Sequence, residues 1–135
     1  MSKLEKIEYK NEVLALIVRS DISIEKSEFF SPKEYPFQLG AHVRKKGSEF
    51  EPHVHKPVER RINTTQEFLY IQKGKVRATF YDEHQNPIAK TILNEGDAIL
   101  LVSGGHGFKM LEDSKIIEIK QGPYVNVEKD KIKFK

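Results

Sequence analysis

Apolar and polar residues alternate along much of the chain, the period of a β-strand with one buried face. Ile7 and Tyr9 alternate within a polar start, and Val13 to Val18 predicts a first full strand. Arg19-Ser20-Asp21 breaks it, and Ile22 and Ile24 alternate again. Ser31-Pro32 and Tyr35-Pro36 mark loops. Phe37 to Val43 predicts a strand, Lys45-Lys46-Gly47 a turn, and Phe50 to His55 a short strand. The polar run 56–65 suggests a loop. Glu67 to Ile71 alternates, Gly74 turns, and Val76, Ala78 and Phe80 alternate onward, which predicts a hairpin with a lysine-flanked glycine at its tip. After a turn over Tyr81 to Pro87, Ile88 to Leu93 predicts a strand. Asn94-Glu95-Gly96-Asp97 turns into Ala98–Val102, whose unbroken apolar run suits a strand covered on both faces. Lys109 to Leu111 and Lys115 to Lys120 predict a final hairpin, closed by Gln121-Gly122-Pro123-Tyr124.

No stretch shows helical periodicity with caps at both ends. About eight to ten short strands separated by turn signals predict an all-β sandwich or barrel. The chain has 135 residues, the size of one domain. Residues 1–36 are expected to supply N-terminal strands and a loop, as part of the barrel or as a dimer contact. Residues 37–124 are expected to form the core and 125–135 a charged tail. Phe29, Phe30 and Phe37, beside prolines, read as packing residues on the outer side or at a homodimer contact.

Composition narrows the partners. The hydrophobic fraction of 38% and the recurring pattern support a packed core, despite a charged fraction of 32%. The net charge is only +3, and the lysines are dispersed rather than clustered with aromatics, which argues against nucleic acid. No apolar run is long enough to span a membrane, and VLALIV lacks the length and cleavage site of a signal peptide, so the expected location is cytoplasmic. The chain has no cysteine, so disulfides, thiolate metal sites and thiol catalysis are excluded.

Any metal must therefore be held by nitrogen and oxygen. On a strand, His53 and His55 at i and i+2 leave the same face, an arrangement that suits one metal ion better than it suits packing. Glu67 and His106 complete a sulfur-free set for a divalent transition metal such as Zn, Fe, Mn or Ni. His42 is a candidate acid or base, and Glu118 a polar residue on an otherwise apolar last strand. Arg44, Arg60, Arg61 and Lys120 are candidates for binding an anionic substrate.

The stretch Gly47–Gly74, GSEFEPHVHKPVERRINTTQEFLYIQKG, resembles the first conserved motif of the cupin superfamily, G-x5-H-x-H-x3,4-E-x6-G. Gly47, His53, His55, Glu67 and Gly74 match it, and Gly96-Asp97 through His106 resembles the second motif. The inserted loop KPVERRINTTQ lengthens the usual spacing between His-x-His and Glu. Glu59 fits the short spacing but lacks the following glycine, and Glu67 fits the hairpin. The second motif lacks its proline and the asparagine after its histidine. The resemblance implies a double-stranded β-helix barrel, a jelly roll, around a divalent metal. FYDEHQNPI, GGHGF and IIEIKQGPY are similar to WbuC-like cupins of surface-polysaccharide biosynthesis. That implies a sugar nucleotide or related small molecule as ligand and an isomerase- or epimerase-like activity. An iron-dependent dioxygenase and a non-catalytic sugar-binding module are the alternatives.

Overall fold

The computed structural model describes residues 4–134. The chain forms β1 (Glu5–Tyr9), β2 (Glu12–Val18), β3 (Glu28–Phe29), β4 (Gly40–Ala41), β5 (Glu67–Lys73), β6 (Lys75–Tyr81), β7 (Pro87–Asn94), β8 (Ala98–Leu101), β9 (Gly105–Met110) and β10 (Lys115–Lys120). A single helical turn, α1 (Val127–Asp130), follows. The strands make three antiparallel sheets, ordered β1-β2-β8-β5-β10, β3-β4 and β7-β6-β9. Both larger sheets have free edges, so neither closes into a barrel. Among the described residues no helix is long and apolar enough to cross a membrane.

The two larger sheets face each other. Their inward side chains form one cluster, with Leu14, Ile17, Leu69, Ile71, Ile99 and Leu101 from one sheet and Val76, Ala78, Phe80 and Leu93 from the other. Burying such a side chain stabilises by about 1.5–3 kcal/mol, which outweighs the preferences of single residues. β2 and β8 are covered on both sides, as the unbroken apolar run predicts for β8. Leu16 and Leu100, paired in register, are each 1% exposed. Leu100 and Phe68 line an apolar cleft with Phe37, Leu39 and Gly40, so residues 37–40 lie across the outer face of the sheet.

Four strand expectations need correction. Of the run Phe37–Val43, only Gly40 and Ala41 are in a strand, against Glu28 and Phe29, because Phe37 and Leu39 pack on the sheet instead of joining it. Phe50–His55 has no strand ladder and is exposed, and Pro52 removes a backbone donor from its middle. Gly74 is not a hairpin tip. β5 pairs with β8 and β10, while β6 pairs with β7 and β9, so the chain crosses there from one sheet to the other. Gly74 has φ +100°, and a side chain would collide with Ser114. By the same logic β9 and β10 pair with β6 and β5, in different sheets, and form no hairpin.

One polar cluster ties the first strands to the rest. The Asp97 carboxylate, 4% exposed, accepts hydrogen bonds from Ser20 N (2.9 Å), Asn94 N (2.7 Å) and Arg19 Nη1 (2.9 Å). Arg19 Nε also donates to Glu5 at 2.7 Å. The tail folds back. Asn126 caps α1 by accepting from Lys129 N at 2.9 Å, and Phe134 meets the Tyr81 ring edge-on at 5.0 Å.

Candidate functional site at Glu67 and His106

Glu67 opens β5 on the same face as Leu69 and Ile71, which are core residues, so its carboxyl points between the sheets. His106 lies on β9 two residues before Phe108, which packs against the same core. The opposing strands bring Glu67 Oε1 to 3.8 Å from His106 Nε2, with both side chains mostly covered. This distance is beyond hydrogen-bonding range, so both atoms remain available to a third group.

β10 adds two more polar side chains. Lys120 stands opposite Glu67 in the antiparallel register and Glu118 opposite Leu69, and directly opposed residues share a face. The polar group therefore sits where the apolar core runs out. Burial pushes the Glu67 carboxyl above the ordinary carboxylate value, and the Glu118 charge adds to this, against the pull of Lys120 and Lys131. Burial pushes His106 below the ordinary histidine value, and the Lys131 charge acts in the same direction. An acid inclined to hold its proton thus faces an imidazole inclined to stay neutral, a pairing suited to proton transfer.

The other candidates lie elsewhere. His42 is exposed, between the rings of Phe29 (6.0 Å) and Phe50 (5.0 Å). Arg44 stacks over Phe50 at 4.3 Å and donates to Glu49 O at 2.7 Å. Arg60 and Arg61 border an open cavity of about 730 Å³ with Lys33, Tyr35 and Thr64, whose lining includes neither Glu67 nor His106. Arg61 pairs with Glu59 at 3.1 Å, and Glu59 is solvated. A second cavity, of about 470 Å³, touches Gly105, the neighbour of His106, together with Tyr81, His84 and Phe134.

The expected metal ligands form two separate pairs. His53 and His55 stand with ring centroids 5.1 Å apart on the exposed segment after β4, and His53 Nδ1 lies 2.7 Å from Glu51 O. Glu67 and His106 form the other pair. A sulfur-free transition-metal site needs at least three such donors around one point. Among the described residues, no three His, Asp or Glu side chains come together in that way. As placed, the donors have suitable chemistry but do not fit a resident metal.

The sequence pattern missed the tail. Lys120 Nζ reaches Asp130 Oδ2 at 3.1 Å, and the Lys131 charge acts on both Glu67 and His106. The available signals were Asn126, a cap residue three positions before Lys129, and the alternating Ile132 and Phe134. Comparison of the chain with protein-family models, curated proteins and solved structures gives no match.

Proposed function

We propose that the protein moves a proton on a small polar molecule bound against Glu67 and His106. The reaction class is isomerase- or epimerase-like, and the substrate is a sugar nucleotide or a related hydroxy- or keto-compound. In this reading the two facing sheets are an open form of the cupin architecture that the motifs imply. The observation that carries the reading is the 3.8 Å approach of Glu67 to His106 on inward faces of opposing sheets, with Glu118 and Lys120 beside them. Glu67 gives or accepts the proton, His106 takes the complementary role, and the Lys120 ammonium holds an anionic part of the substrate.

The test is exchange of substrate carbon-bound hydrogen with deuterated solvent, screened over sugar nucleotides. Glu67→Gln and His106→Ala are each expected to slow exchange by about 10²–10⁴-fold, the usual contribution of a positioned acid or base. Exchange that survives both substitutions at the wild-type rate would refute the assignment.

A second reading includes a divalent metal, favoured by the two imidazole-bearing pairs in a cysteine-free chain. It requires residues 42–65 to fold onto the open side of the sandwich. Metal analysis of the purified protein should then find one equivalent per chain, lost alike in His53→Ala and His106→Ala. Full metal content in both variants would rule this reading out.

A further inference from the structure

The tail supplies an anion to the site. Lys120 lies on the inward face of β10, opposite Glu67, and its Nζ is 3.1 Å from Asp130 Oδ2. Both side chains are only about one-fifth exposed, at 20% and 22%. Tyr124, in the connecting turn, places its ring 5.5 Å from the same ammonium. Beyond Asp130 the chain makes a second contact, with the Phe134 ring against Tyr81. Gly105 permits this, since a Cβ there would come within 3.0 Å of Phe134 Cζ. The tail is thus fastened on both sides of the residues around His106.

These fastenings are few. α1 buries no residue, and Ile132 is 86% exposed. The four-residue helix is too short to persist by itself, and the tail is held by an ion pair and one ring contact instead of an apolar face. Such a segment opens locally far more readily than the core strands. When it opens, Lys120 loses its hydrogen-bonded carboxylate and keeps only the longer-range charges of Glu67 and Glu118, and an ammonium in a partly covered site gains from accepting another anion.

We infer that Lys120 is a phosphate-binding group, and that the Asp130 carboxylate occupies it as an internal stand-in until a phosphorylated ligand displaces it. The choice of ligand class rests on the sugar-nucleotide reading above, whose diphosphate carries the required charge and oxygen acceptors. Glu67 and Glu118 already place negative charge near Lys120, so removing the Asp130 charge relieves one of three carboxylates that compete with an anionic ligand. The contact is then both a filter for anionic ligands and a latch on the tail.

The test uses the full-length protein and inorganic pyrophosphate, with affinity measured by titration calorimetry. Asp130→Asn keeps the side-chain shape and removes the charge. It should tighten pyrophosphate binding about tenfold, as expected when a competing internal group is disarmed. Adding Lys120→Gln should abolish the gain. An unchanged or weaker affinity in Asp130→Asn overturns the inference. So does a gain that survives in the double variant, which would reflect a general loss of negative charge. Glu67→Gln should leave the tenfold gain in place. Proton exchange without the gain counts against the latch alone, and the gain without proton exchange counts against the catalytic reading alone.

Discussion

Glu67 and His106 lose water to the same narrow space, and burial acts on them in opposite directions. A raised carboxyl stabilises the folded state below its ordinary value of 4.5, and that contribution is lost as pH rises through the folded value. A depressed imidazole stabilises the folded state above 6.5, and that contribution is lost as pH falls through the folded value. The metal-free protein should therefore lose stability as pH rises from 4.5 through the Glu67 transition and regain it toward 6.5. Glu67→Gln removes the first of these and leaves the second. Urea denaturation of both proteins across pH 4–7 checks this, and identical profiles would show that Glu67 does not titrate abnormally. The same scale shows why the alternating pattern was informative here. It placed Glu67 with Leu69 and Ile71, and burial of those two leaves Glu67 inward.

At the scale of elements, the polar cluster around Asp97 is the sharpest point of dependence. Three donors converge on one buried carboxylate, and two of them are the backbone N–H groups of Ser20 and Asn94. Asp97→Ala leaves these donors without their acceptor and should cost about 2–4 kcal/mol. The shift in denaturation midpoint measures it, and a loss below about 0.5 kcal/mol, the range of ordinary surface changes, would refute the role. The sequence marked Arg19-Ser20-Asp21 as a break and Asn94–Asp97 as a turn, which both are. It did not show that the two breaks bind each other, since their partners are more than 70 residues apart. The two supposed hairpins failed for a related reason. A glycine turn between alternating strands looks the same whether the chain turns within a sheet or crosses between sheets. Crowding of Gly74 by Ser114 is visible only in three dimensions.

On the scale of the whole molecule, the alternating pattern determined an all-β chain and which side of most strands is apolar, because burial of one face imposes a period of two whatever the topology. The unbroken run at Ala98–Leu101 likewise determined a strand covered on both faces. The sequence also supplied Glu67 and His106 by residue type, as members of a sulfur-free donor set in a chain without cysteine. Tertiary structure alone decided which residues meet. It joined Glu67 to His106 across opposing sheets and brought the tail to Lys120. It left His53 and His55 together on an exposed segment and sent Arg60 and Arg61 to a different cavity. Spacing along a chain constrains neighbours within a strand or turn. Contacts between sheets depend on how strands are ordered and registered, and that is set by the packing of the whole core.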